Sequence, residues 1–415
     1  MSYTRHETLA KITVWLFLFF TLFGTSLPFT ERITETRNIG TSNLFNQIVY
    51  SLLFILSIVS IINKKSLVLT LIVQEKYLTI FLTWCFLSIV WSEFKLISFK
   101  RFFQVMTSVL VLSSALLHID SSKTIFNYLK FILSIYLITT LFSILLIPAA
   151  IDPVSGSFRG LEQQKNQLGQ ICLLSLTIWI YSFKSEKIAQ KIFSFLMILA
   201  SLGLLVGSHS ATSQISFLIG LLFLLMYYLF MHFKKHGYGN VFIFYSFFFS
   251  FILIFTSYFY LTKLILALPE YIGKDATFTG RTELWHDLLI LSKDHFFFGC
   301  GFSGFWVTIN PELSALYRKY LFLPRNGHSG YIDMINEVGI IGLLLFLILL
   351  FDGLRKILKY SNNSQVFLIV VIALIVNFLE TTIFSPGDAI GRMFIFAYLV
   401  LHTEILKTSN TKSLS

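Results

Sequence analysis

Residues 326–342 read N-G-H-S-G-Y-I-D-M-I-N-E-V-G-I-I-G, and the chain continues L-L-L-F-L-I-L-L-F to residue 351. The stretch begins as a turn at Asn326-Gly327 and passes into an apolar helix long enough to cross hydrocarbon. It carries His328, Asp333, Asn336 and Glu337 into surroundings of Leu, Ile and Phe. Charged groups in such surroundings are costly and face a polar cavity or a partner. The stretch therefore reads as a membrane helix that presents His328 at its mouth.

The rest of the chain agrees. Of 415 residues, 55% are hydrophobic and only 13% charged, far from the balance of a soluble domain. Apolar runs of about 16 to 24 residues recur, the length a helix needs to span a bilayer. Twelve spans are expected, at 11–29, 44–62, 77–91, 101–118, 126–147, 166–183, 188–206, 211–232, 241–262, 330–351, 366–383 and 389–406. The fold class is an all-α polytopic membrane protein, one membrane domain over 1–415 with a large outer loop at 263–329. The apolar run after Arg5 and Lys11 is long and lacks a small-x-small cleavage pattern, so it reads as an uncleaved first span.

With the N-terminus inside, the inner segments hold roughly twice as many Lys and Arg as the short outer loops, which is the positive-inside bias. An even number of spans then places both termini on the inner side. The net charge of +11 is accounted for by orientation and anionic lipid, and does not call for nucleic acid.

Several motifs have an ordinary reading beside a functional one. Gly299, Gly301 and Gly304 spell G-x-G-x-x-G, but outside a βαβ unit the pattern reads as a flexible turn. Gly203 and Gly207 are spaced for close helix packing. The three cysteines show no pairing or metal pattern. The outer-side histidines lack the i, i+4 spacing of a helical zinc pair, so no metal is expected. Residues 279–298 look like an amphipathic helix on the membrane surface, with Leu284, Trp285, Leu288 and Leu289 on one face. Thr279 would cap it, and Arg281 would lie in its first turn, where an anion is favoured. Arg159-Gly160 and Gly280-Arg281 both place an arginine fork in a polar, glycine-containing segment, suited to phosphate oxygens. Glu337 lies nine residues after His328, about half a helical turn out of phase. It reads as structural, together with Gly339 and Gly342.

These residues resemble the O-antigen ligase and Wzy-type polysaccharide polymerase superfamily. The resemblance rests on His328, Glu337, Gly339 and Gly342, on Trp91-Ser92, on Arg159-Gly160 before Lys165-Asn166-x-x-Gly169, and on Thr279-Gly280-Arg281 followed by Leu284-Trp285. The Lys-Asn-x-Leu-Gly form looks most like the exopolysaccharide-production branch. One departure is Ser329, where many ligases carry Asn after the histidine.

The resemblance implies a GT-C-like glycosyltransferase of the bacterial inner membrane, acting on its outer face. The implied donor is an undecaprenyl-diphosphate-linked oligosaccharide and the acceptor a glycan or lipid, with no cofactor. His328 would be the catalytic base. Arg159, Lys165, Asn166 and Arg281 would bind substrate. A flippase for lipid-linked oligosaccharide is the competing class; it predicts midplane charges and internal repeats, whereas the polar groups here gather at one face. Ligase and polymerase are not separated by these residues, although the Lys-Asn form favours a polymerase.

Overall fold

In the computed structural model the described residues are 2–24, 43–64, 70, 72–119, 121–182, 187–238, 281–307, 310–320, 324–360 and 363–413. The expected ninth span, 241–262, and the cap at Thr279-Gly280 lie outside them. The helices begin with α1 (Ser2–Phe23), α2 (Leu44–Ile61), α3 (Lys76–Leu87), α4 (Lys95–His118), α5 (Ser122–Leu146), α6 (Lys165–Ser182), α7 (Ile188–Gly207) and α8 (Ala211–Lys235). Two short helices follow, α9 (Arg281–Leu291) and α10 (Pro311–Lys319), and then α11 (Gly330–Tyr360), α12 (Ser364–Leu379) and α13 (Ala389–Ser413). Each expected span except the ninth falls on one of these helices. Among the described residues, seven helices are long and apolar enough to cross a membrane, and shorter apolar helices lie at Lys76–Trp91, Ser364–Leu379 and Ala389–Leu401.

The bundle is bound by apolar packing and by hydroxyls that satisfy themselves within hydrocarbon, where water cannot help. Thr13 donates to the Leu9 carbonyl and Thr21 to that of Phe17. Ser175 and Ser201 join α6 to α7 at 2.8 Å. Large apolar side chains such as Ile188, Leu218 and Phe351 point outward. On a soluble protein such a surface would aggregate; here it is what lipid requires.

Helix α11 departs from the expectation of one continuous span. Gly339 has φ +71°, and the helix is broken there. The amides of Ile340 and Ile341 turn instead to the carbonyls of Phe296 and Phe297. Gly301 donates to the Glu337 carbonyl at 2.8 Å, and Trp84 Nε1 to the Val338 carbonyl at 2.9 Å. The glycine cluster is thus a tight seat and not a flexible turn. A Cβ at Gly299 would strike the Glu337 backbone, and one at Gly301 or Gly304 would strike Ser92. Arg101 closes the same region by donating to the carbonyls of Ser303 and Trp306.

Two further expectations change. Gly203 faces no neighbour within 4 Å, while Gly207 seats the Phe158 ring, so this pair does not join two helices. In α9, Leu284 and Leu288 are buried against Phe305, Trp306, Leu313 and Leu316. Leu284 and Leu288 therefore serve a small core with residues 305–316 and do not face lipid, while the apolar Leu289 and Ile290 are exposed.

Candidate functional site

Four helix ends meet at one carboxylate. Glu380 follows the last residue of α12, and its side chain is 8% exposed. Its Oε2 lies 2.9 Å from His328 Nδ1. Its Oε1 accepts from Arg281 Nη2 at 2.8 Å and from Asn166 Nδ2 at 3.0 Å. Arg281 also donates through Nη1 to the Leu379 carbonyl at 2.5 Å. His328, Arg281 and Asn166 come from positions far apart in the chain and share this one partner.

Each participant is positioned by local chemistry. His328 sits in the turn before α11 with φ +49°, a left-handed conformation that costs a non-glycine residue about 1–3 kcal/mol and persists only when neighbours fix it. The fixing groups are present. The His328 amide donates to Asn326 Oδ1, the Gly327 amide to the Asp333 carboxylate, and Trp285 Nε1 to the Gly327 carbonyl. Asp333 also accepts from Trp306 Nε1 at 2.9 Å and Thr381 Oγ1 at 2.5 Å, which ties the histidine turn to the glutamate turn. Asn377 Oδ1 accepts from the Thr382 and Ile383 amides and so shapes the chain just after Glu380. Gly330 must be glycine because a Cβ would run into the Asn377 amide.

Burial alone would raise the Glu380 carboxyl. The hydrogen bond and charge of His328, followed by the Arg281 guanidinium, outweigh it and hold Glu380 below its ordinary value. Glu380 is therefore an anion at neutral pH. A carboxylate only accepts hydrogen bonds, so in the neutral imidazole Nδ1 carries the hydrogen and Nε2 the lone pair.

His328, Glu380 and Asn166 open on a polar cavity of about 380 Å³, within the range of roughly 300–1,000 Å³ that holds small ligands. Asn326, Thr381, Glu162, Asp388 and several glutamines also line it, with Leu22 and Phe23 from the end of α1. Arg281 is not part of the wall; it stands behind Glu380 with its side chain 10% exposed.

The remaining expected residues lie around this centre. Arg159 is ion-paired with Asp152 in the loop before α6, outside the cavity wall. Lys165 is the first residue of α6, next to Asn166, and is half-buried. Glu337 and Asp333 line a smaller cavity of about 30 Å³ with Ser303, apart from His328. Gly342 packs against Trp84 of α3. Glu380 is the participant that sequence reading missed. No group of three or more His, Cys, Asp or Glu able to hold a metal ion occurs among the described residues.

Residues 192–347 match a family model described as O-antigen ligase. That segment contains Arg281, His328 and Glu337, whereas Asn166 and Glu380 lie outside it. The chain is also 31% identical over 100 residues to the exopolysaccharide production protein ExoQ of Rhizobium meliloti (strain 1021). That alignment covers 22% of this chain and 23% of the relative. Both comparisons bear out the resemblance read from the motifs: this is a membrane protein similar to the O-antigen ligase and exopolysaccharide-production family.

Proposed function

We propose that the protein is a membrane glycosyltransferase. It moves a glycan from an undecaprenyl-diphosphate carrier to an acceptor hydroxyl, on the outer face of the bacterial inner membrane, in polysaccharide polymerisation or ligation. The observation that carries this reading is the His328–Glu380 pair at the wall of a polar cavity, with Arg281 on the same carboxylate.

The chemistry follows from the protonation state. The acceptor hydroxyl oxygen attacks the anomeric carbon as its proton passes to His328 Nε2. The bond from that carbon to the phosphate oxygen breaks, and undecaprenyl diphosphate departs with the electron pair. A diphosphate is a competent leaving group without protonation, so the protein needs cations to hold it. Arg281 supplies positive charge from behind Glu380, its Nη1 and Nη2 being held by the Leu379 carbonyl and Glu380 until the diphosphate draws on them. Arg159 and Lys165 stand on the adjoining segment, and Arg159 exchanges Asp152 for phosphate when the carrier binds. Glu380 orients the imidazole and stabilises the imidazolium, the role a buried carboxylate takes beside a catalytic histidine. Attack from the face opposite the diphosphate inverts the anomeric centre. The excess of Lys and Arg on the inner segments supports cytoplasmic termini and an outward-facing site.

Purified protein in liposomes with lipid-linked oligosaccharide, chelator and no nucleotide sugar tests this directly. The expected result is a glycan product. A ladder of repeat units identifies a polymerase, the outcome favoured by the Lys165-Asn166 motif, and one transfer to a defined acceptor identifies a ligase. Dependence on an added nucleotide sugar or divalent metal would overturn the reading.

A further inference from the structure

The cavity has more wall than the transfer chemistry uses. We propose that the part built by Glu162, Gln170 and Asp388 seats the acceptor sugar, and that it selects an uncharged, hydroxyl-rich sugar against a uronate. Assigning this wall to the acceptor rests on the transferase reading above. His328, the base for the acceptor hydroxyl, lines this cavity, whereas Arg281, the cation for the diphosphate, does not.

Two properties of the wall carry the inference. It is rich in side-chain amides, from Gln163, Gln164, Gln167 and Gln170, at the start of α6 and just before it. Each amide offers both a donor and an acceptor, which matches the paired character of sugar hydroxyls. It also carries three carboxyls, Glu162, Glu380 and Asp388. Glu162 accepts from Tyr136 Oη at 2.7 Å and Asp388 from the Gly391 amide at 2.8 Å, so both are fixed in place.

These acids feel one another. Burial pushes Asp388 up to about 7, and the charges of Glu380 and Glu162 add to that rise. Burial likewise raises Glu162 to about 7, against the hydrogen bond from Tyr136. Glu380 is balanced by Arg281. A uronate would bring a fourth carboxylate into this enclosure, and like charges brought together at a binding surface oppose binding. A neutral hexose meets amides and carboxyls that bond its hydroxyls, beside apolar groups such as Leu22 and Phe23.

The test uses the full-length chain in lipid nanodiscs at pH 8, above both raised values. Binding of a methyl hexopyranoside and of the matching methyl hexuronide is compared by saturation-transfer NMR. In parallel, transfer is measured to two acceptor oligosaccharides that differ only in a terminal hexose or hexuronate. Wild type is expected to favour the neutral ligand by about tenfold, equivalent to roughly 1.4 kcal/mol. In the Glu162→Gln, Asp388→Asn double variant the preference should fall severalfold. These replacements preserve the local bonds, since Gln can still accept from Tyr136 and Asn caps a helix as well as Asp does. Equal use of both ligands by wild type, or an undiminished preference in the double variant, overturns the proposal. If neither acceptor is used but the glycoside preference is present and lost in the variant, the transferase reading fails while the sugar seat stands.

Discussion

The two halves of the 326–342 stretch use glycine and buried polarity in opposite ways. At its start, side chains converge on a cavity: His328, held at positive φ, turns its Nδ1 to Glu380. Some ten residues later, backbone meets backbone. Gly339 breaks α11, and the Gly299–Gly301 loop docks into the break through main-chain hydrogen bonds. Changing chemistry at constant shape should therefore damage the first half, and adding a single methyl group should damage the second. One stretch both presents His328 at the cavity and clamps the helix that carries it.

That contrast can be broken in four places. Glu380→Gln keeps the shape but removes the charge shared by His328, Arg281 and Asn166. Transfer should fall about 10–100-fold, the range seen when a histidine loses its orienting carboxylate partner in metal sites, in a variant that still folds but unfolds at a lower temperature, because Arg281 loses its buried counter-charge. A variant that unfolds instead would make Glu380 a structural group. Arg281→Lys replaces a fork with a point charge. A loss of about tenfold in kcat/KM for the lipid-linked donor is expected, and an unchanged value would remove Arg281 from the diphosphate site.

Gly339→Ala tests the second half. A Cβ there meets the Phe297 carbonyl, and φ +71° is unfavourable for alanine. The cost is about 1–3 kcal/mol from backbone conformation alone, read as a lower unfolding temperature in detergent. An unshifted temperature would mean the break is not rigid.

Glu162→Gln acts only at high pH, where the rise from 4.5 to about 7 corresponds to about 3 kcal/mol at most. Burial lifts the Glu162 carboxyl from its ordinary 4.5 to about 7 in the folded chain. Between those values the folded state binds more protons than the unfolded one, so stability contributed here falls as pH rises through that window. The variant should gain stability over wild type at pH 8 and not at pH 4. Glu380, held low, has the opposite sign: its contribution is present above 4.5 and is lost as pH falls through its lower folded value.

Much of this was legible in the sequence. Apolar run lengths placed the helices, because spanning hydrocarbon leaves the backbone few alternatives. The family resemblance singles out His328, Arg281 and Asn166, and all three contact Glu380. Glu380 was hidden. The apolar run through Ile383 and Phe384 made 366–383 look like one span, although the helix ends at Leu379. The break at Gly339 was hidden for a related reason. Apolar residues continue without proline on both sides, and only the partner loop, about 40 residues earlier, reveals where the lost hydrogen bonds go. Arg159 shows the limit of motif reading, since type and order identified it but not its pairing with Asp152.

The central claim is that His328 takes the acceptor proton while Glu380 holds it in the required tautomer. Its most direct test is the single-turnover rate of His328→Ala, with donor binding measured on the same preparation. A positioned general base contributes about 10²–10⁴-fold. A loss in that range is expected, with lipid-linked donor still bound. Transfer at the wild-type rate would contradict it.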